Sequence, residues 1–558
     1  MEVRDSRRLT GANLLWERPG AVIDVEMEDA RRPALIEAWS EEVRLRLDAV
    51  GWGSEGLRVR SFEGGASLAI SAPLDALYAA TEVNESAWRA AVARLDGEEP
   101  EELDVEVARL RAEIEEEGNP ALLALRAAAL ERGLPFLSDD DHVSVGLGVG
   151  SRTWPARELP EPVEVDWGEL ASVPTAMITG TNGKTTTVRL LSAIVEAAGL
   201  VPGVTSTDRL RVGGDVLEAG DWSGPGGARR VLRDRRTQIG LLETARGGMM
   251  RRGLALERCD VSAVLNVGAD HLGEWGVGTL EGLAEGKFIV TRVAGTVVLN
   301  ADDEVVAARG RELDQEVVWF SLEPEGALIR EHLAAGGRAA LLKEGRLELR
   351  RGAEVRELLA ADQIPCALGG AALYNVANAL AAAAIAERLG IDLDAIRAGL
   401  AAFESTPERN PGRLNRFERG GVQVLVDFAH NPHGMQALLE MAARLPAERR
   451  LVLLGQAGDR DDDSVREMVR VTWAARPDMI VVKELTEHMR GREPGEMPAL
   501  IEAELRAEGC PPERFVHCTS ELDAVRWALE WGRPGDLLLL LVHDVRDEVL
   551  RLLEAPDG

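Results

Sequence analysis

The run TGTNGKTTT at 179–187 narrows the fold more than any other feature of this 558-residue chain. It lies between a short apolar segment, 175–179, and a helical pattern over 184–198 that Gly199 closes. A Gly-rich turn between a strand and a helix aims backbone N–H groups at one point, at the positive end of the helix, and so cradles phosphate. Gly180 and Gly183 permit the turn, Lys184 is placed to reach the β- and γ-phosphates, and the Thr185 hydroxyl is placed to ligate Mg²⁺. Thr181, Asn182 and Thr186 complete the expected ATP-binding loop. The strict pattern wants Gly where Ile178 stands, so this loop is a variant. Such loops serve ATPases, kinases and ligases alike, and the loop alone does not choose the reaction.

The surrounding pattern alternates strands and helices. Apolar, β-branched segments at 238–243, 261–267 and 296–300 read as strands, 338–350 as a hairpin turning at Glu344–Gly345, and 374–389 as an Ala-rich helix. After a Pro-rich break at 407–411 a second series begins, with strands at 422–427, 451–454, 479–482 and 537–541. This is the pattern of doubly wound parallel sheets. The fold class is therefore α/β, a phosphate-loop domain over 171–406 and a Rossmann-like domain over 407–558. Ahead of them, 1–100 reads as a small α+β unit with strands at 21–25, 57–62 and 67–70 and a helix at 33–50. Residues 101–170 read as a linker, with an acidic, solvated helix at 98–117.

Composition excludes several classes. A net charge of −31 argues against a nucleic-acid partner. No apolar run reaches the roughly 18 residues of a membrane span, and the N-terminus lacks the apolar stretch of a secretory signal, so a cytoplasmic protein is expected. Cys259, Cys366, Cys510 and Cys518 show no CxxC spacing and read as reduced thiols. Arginine is abundant, yet the only lysines are Lys184, Lys287, Lys343 and Lys483. Arg and Lys are chemically distinct, so positions that keep Lys stand out.

Polar residues end three successive apolar segments: Glu243, then Asp270 and His271, then Asn300, Asp302 and Asp303. Each alone has a bland reading, as a cap or a satisfied core group. Together, at the carboxyl ends of strands in one sheet, they point to a metal–nucleotide site, with Glu243 suited to Mg²⁺.

TGTNGKTTT, ETARGG, NVGADHLG, a downstream Lys, NADD, YNVANALAA, NPGRLNRFE and VLVDFAHNPHG occur in that order. Together they resemble the Mur ligase superfamily, which includes the peptidoglycan amino-acid ligases and folylpolyglutamate synthetase. Further wording, such as SGPGGARRVLRD, LETARGGMMRRGLA and GDRDDDSVRE, is similar to the Mur-like part of the cyanophycin synthetases across 171–545. RRLTGANLLWERPGAVIDVEMED resembles that group's N-terminal domain, and ALERGLPFLSDDDHVSVGLGVGSRTWP the lead-in to its ATP-grasp domain. Only 156–178 then precede the phosphate loop, too short for an ATP-grasp domain.

The resemblance implies an ATP-dependent ligase without that half. It would join a small-molecule or peptide carboxylate to an amino-acid amine through an acyl phosphate, for example Arg to an aspartyl group, with ATP, two Mg²⁺ ions and a homo-oligomeric assembly. By the same resemblance Lys184 and the loop amides bind phosphates, Thr185 and Glu243 hold one Mg²⁺ and His271 a second, and a carbamylated Lys287 helps ligate it. Asn375 and Asn378 contact adenine, Asp427 the ribose and Arg413 the γ-phosphate, while His430 and Asn431 line the substrate cleft. A P-loop NTPase or kinase, or a scaffold with a degenerate site, are the competing readings.

Overall fold

A computed structural model describes residues 2–270 and 273–555. At the N-terminus, an antiparallel sheet takes the order Glu2–Leu9, Gly20–Glu26, Gly65–Ser71, Leu57–Phe62. Helices Arg32–Ala49 and Leu77–Asp96 pack on it, burying Ile23, Trp39, Leu47, Leu68, Ile70 and Val83 together. The acidic helix keeps most of its charges on a solvated face, but it is packed on the domain and is not a free linker. It runs Leu103–Glu117 and buries Leu110 in this same core. Its Glu106 accepts from buried Arg46 at 2.9 Å, so one of its charges is a packed ion pair. Helix Pro120–Glu131, capped by Asn119, and a three-stranded sheet (Phe136–Ser138, His142–Val145, Arg152–Pro155) follow.

The central sheet has eleven strands. Its parallel part runs Pro202–Thr205, Ile239–Glu243, Thr175–Thr179, Cys259–Val264, Ala294–Asn300, Glu316–Ser321, Arg338–Lys343. Thr175–Thr179 is the topological switch point. From it the chain skips to Pro202–Thr205, runs out to the sheet edge and returns as Ile239–Glu243 between the two, then crosses to Cys259–Val264 on the other side. Strands buried on both faces need near-continuous apolar sequence, which is why these were legible. Helices Lys184–Ala197, Leu373–Arg388 and Leu393–Ala402 cover one face. Ala379 to Ala386 are buried, and small side chains let that helix lie close on the sheet. Gly399 does the same for a helix crossing, since a Cβ there would sit 2.4 Å from Ile194 Cα.

The C-terminal sheet has six strands in the order Asn415–Arg419, Val422–Asp427, Leu537–Leu541, Arg450–Leu454, Met479–Lys483, Phe515–Cys518, all parallel but the first. The carboxyl end of Val422–Asp427 faces the phosphate-loop end of the central sheet, and the polar cleft between them is where ligands of open α/β sheets bind.

Candidate active site

The phosphate loop leaves the strand at Thr179 and enters the helix at Lys184. Gly183 has a φ of 87°, and a Cβ there would lie 2.3 Å from Asn378 Oδ1, so glycine is required twice over. Lys184 Nζ donates to the carbonyls of Gly180 at 3.0 Å and Thr181 at 3.1 Å, folding over the loop it serves. Burial draws its ammonium below the usual lysine value, while Glu243 opposes the shift. Thr185 Oγ1 donates to Glu243 Oε1 at 3.2 Å and lies 3.3 Å from Thr207 Oγ1. Glu243 is buried at the end of its strand, and its Oε2 has no hydrogen-bond partner among the described residues. Desolvation pushes its carboxyl pKa up. A buried, unpartnered carboxylate oxygen beside a hydroxyl is costly unless a cation completes it, and both groups are hard oxygen donors of the kind Mg²⁺ takes.

Lys287 closes the helix Leu280–Lys287 and is 6% exposed. Burial, with help from Lys184 and Arg246, lowers its pKa to about 7. Near neutrality a large fraction of this side chain is therefore a free amine. His271 lies outside the described residues. Its neighbour Asp270 is described, and it meets the C-terminal domain: Arg460 Nη1 donates to Asp270 Oδ1 at 2.5 Å, and His430 Nε2 is 3.5 Å from Oδ2. Lys184, Thr185, Glu243, Lys287, Arg413 and His430 all line one cavity of about 690 Å³.

A second cavity of about 350 Å³ continues from the other side of the loop, along Asn375, Asn378, Arg413, Asp427 and His433. Asn375 donates to the Cys366 carbonyl at 2.8 Å and accepts from Asn378 at 3.1 Å, which fixes both amides. Asp427 accepts from the amides of Leu414 and Ala429, both at 2.9 Å. The Arg413 guanidinium stacks on Phe428 with 4.6 Å to the ring centre. Asn300, Asp302 and Asp303 border this cavity, yet each also has a structural task. Asp303 accepts from Val267 N at 2.8 Å and caps its helix at Val306 N, Asp302 accepts from Leu322 N at 2.7 Å, and Asn300 donates to Leu265 O.

The two domains clasp at the loop itself. Asn182 and Asn431 exchange amide hydrogen bonds of 3.1 and 3.0 Å, and His433 Nδ1 lies 3.1 Å from Asn182 Nδ2. At the opposite rim Arg546 donates to Asp208 at 2.9 Å, and Asp208 is also paired with Arg189 at 2.5 Å.

Residues 178–386 match the profile of the Mur ligase middle domain, and 412–541 that of the Mur ligase glutamate ligase domain. The chain belongs to the Mur ligase family. A cyanophycin synthetase of Crocosphaera subtropica is 38% identical over 377 residues, which are 67% of this chain and 43% of that protein. A UDP-N-acetylmuramoyl-L-alanyl-D-glutamate–2,6-diaminopimelate ligase of Geobacter metallireducens is 28% identical, over 66% of this chain and 73% of its own. E. coli FolC, in complex with DHPP and ADP, superposes with a TM-score of 0.52 at 20% identity, covering 68% of this chain and 88% of that one. This last likeness concerns the fold. The chain spans less than half the length of the cyanophycin synthetases it matches, 43% of one and 41% of another.

Within the two Mur ligase segments fall all the residues expected of the site from sequence. Asp208 and Arg189 also fall inside them but carried no signal beyond residue type, His433 and Arg460 stand in the VLVDFAHNPHG and GDRDDDSVRE runs without a role of their own, and Arg546 lies beyond their end. These cross-domain partners emerge only when the sheets are placed face to face.

Proposed function

We propose that the chain is an ATP-dependent carboxylate–amine ligase acting through an acyl phosphate. One observation supports it above the rest. The phosphate loop and the unpartnered Glu243 oxygen open into the same cavity of about 690 Å³ as Lys287 and the guanidinium groups of Arg246, Arg251, Arg413 and Arg546. That cavity extends past the phosphate site, with room for further substrates and cations to orient carboxylates. A plain NTPase needs only a water there.

Thr185 and Glu243 would hold one Mg²⁺, and Lys287, as a carbamate, together with His271 would hold another. The metals supply charge neutralisation for the phosphates when bound. Lys287 favours this modification because burial brings its pKa to about 7, so that free amine is present near neutrality. In the reaction, an acceptor carboxylate oxygen attacks the γ-phosphorus, the bond to the β-phosphate oxygen breaks and ADP leaves. The amine of an incoming amino acid then attacks the acyl carbon, inorganic phosphate departs and the amine loses a proton. Lys184 and Arg413, which line the same cavity, would stabilise the developing charge. Asn375, Asn378 and Asp427 would hold the nucleoside in the smaller cavity, and the Asn182–Asn431 clasp would keep water from the acyl phosphate. An aspartyl or similar carboxylate and arginine are the substrates that the cyanophycin synthetase likeness favours.

The test is ADP release with ATP, Mg²⁺ and combinations of acidic peptides and amino acids, with hydroxylamine as an acyl-phosphate trap. Turnover that needs both a carboxylate and an amine, gives hydroxamate with the trap and vanishes in Lys184→Ala is the expected result. Turnover indifferent to omission of both co-substrates would replace the ligase by an NTPase.

A further inference from the structure

The two Mur ligase profiles match 178–386 and 412–541, leaving the N-terminal domain outside both and without a role. Its contacts give it one. After the strand Glu2–Leu9 the chain runs along the central domain: Thr10 N donates to Arg252 O and Leu254 N to Ala12 O, both at 2.8 Å, and Arg292 reaches Asn13 O at 2.6 Å. No Cβ fits at Gly11, where it would meet Leu254 O at 2.3 Å. The domain is thus docked through backbone, not tethered.

So docked, it reaches a particular loop. Arg60 on strand Leu57–Phe62 donates to the carbonyls of Gly276 at 3.2 Å and Trp275 at 3.5 Å. Arg7 stacks over the Trp275 ring, 4.7 Å from its centre, while paired with Asp24 at 2.5 Å and Asp5 at 3.1 Å. Phe62 packs on Gly276, where a Cβ would lie 2.5 Å from its ring. Trp275 has a φ of 57°, a left-handed conformation that costs a bulky residue about 1 to 3 kcal/mol and persists only where neighbours impose it. Here the neighbours include Arg7, Arg60 and Phe62.

The loop joins two parts of the active site. It follows Asp270, which lines the main cavity, in sequence, and closes on itself through a Gly273 N to Val277 O bond of 2.8 Å and buried Val277. Thr279 then caps the helix that ends in Lys287, accepting from Gly282 N at 3.1 Å. Between the loop and the N-terminal sheet lies a further cavity of about 910 Å³, bordered by Arg251, which also borders the main one.

We propose that Arg60 and Arg7 are positioning residues of the ligase reaction, through which the N-terminal domain fixes the loop 273–277 and with it the placement of Asp270 relative to Lys287. This rests on the ligase reading for its consequence in catalysis, but the hold itself does not. Groups one step removed from metal ligands typically change metal affinity or activity by about ten- to a hundredfold.

The test uses the full chain. Arg60→Ala should raise amide hydrogen exchange across 273–282 in metal-free protein by at least about tenfold. It should raise the half-activating Mg²⁺ concentration by a similar factor, with the KM for ATP within about twofold of wild type. Arg60→Lys, which keeps one donor, should recover part of both effects. Arg58→Ala, exposed on the same strand, should change neither. Should Arg60→Ala fail to fold, Arg60→Gln gives the same readouts. Unchanged exchange at 273–282 in a folded Arg60 variant overturns the hold. Raised exchange with wild-type Mg²⁺ activation overturns its role in catalysis. If wild type itself shows no carboxylate-dependent turnover, the ligase reading has failed and the exchange measurement still decides the hold.

Discussion

Replacing Lys287 by Met should make the protein more stable and inactive. The folded pKa is about 7 against an ordinary 10.5. Between those values the unfolded chain holds a proton that the folded chain has released. Stability therefore rises with pH from about 7 to about 10.5, and at or below pH 7 nearly the full cost of burying the amine is present. At 1.36 kcal/mol per unit, that cost is about 4 kcal/mol at pH 7. Met has similar length and no charge, so most of the cost should disappear, leaving a gain of about 2 to 4 kcal/mol after imperfect packing. For a domain of this size that is a rise in Tm of about 2 to 4 °C per kcal/mol. Calorimetry at pH 7 in CO₂-depleted, metal-free buffer measures it. Adding bicarbonate and Mg²⁺ should then stabilise the wild type and not the variant, since only the wild type can form a carbamate. A variant that is less stable than wild type at pH 7, or that keeps wild-type turnover, would refute the reasoning.

Asn182→Ala removes a reciprocal amide pair worth about 0.5 to 1.5 kcal/mol per bond, about 1 to 3 kcal/mol for the two, so the KM for ATP should rise about five- to 150-fold, and small-angle scattering should show a more open molecule. Lys483→Met strands Glu521 without its buried partner and should cost about 3 to 5 kcal/mol in thermal or denaturant unfolding; adding Glu521→Gln should recover part of it. Given ATP, Asp and Arg, the purified chain should form no insoluble Asp–Arg polymer, which light scattering and mass spectrometry of any pellet would detect.

Much of this was legible because chemistry and pattern coincided. The interior strands are apolar on both faces, the phosphate loop sits between a strand and a helix, and the hairpin at Glu344–Gly345 takes the positive φ values its residues allow. Edge strands were not legible. Asp215–Ala219 is exposed along its whole length, and Glu2–Leu9 alternates charges with no apolar stripe. Their pairing is decided by the neighbouring strand, not by their own burial. The scarcity of lysine was a true signal in a more general way than metal chemistry. Lys287 and Lys483 are both buried, but Lys483 donates to Glu521 and the Leu541 carbonyl behind the site, whereas Lys343 is a half-exposed partner of Glu325.

The arginines gave no such signal, and they hold the domains together. Arg189 and Arg546 read like any surface arginine in sequence, and Arg460 stood in the GDRDDDSVRE run without a role, yet the three anchor Asp208 and Asp270 on the rim of the main cavity. The named bridges across this cleft are polar: the Asn182–Asn431 amides, Arg546 to Asp208, Arg460 and His430 to Asp270. An apolar seam would resist water, but these groups exchange partners with water or ligand at small net cost. The connecting segment is, by contrast, tightly tied. Asn415 donates to the Ser405 and Asn410 carbonyls at 2.7 and 2.9 Å and accepts from Gly412 N at 2.7 Å. A rigid joint beside an interface of replaceable polar bonds favours opening as one body. The residues that close the cleft are then also among those proposed to bind its contents, and on that proposal substrate binding and domain closure draw on the same groups.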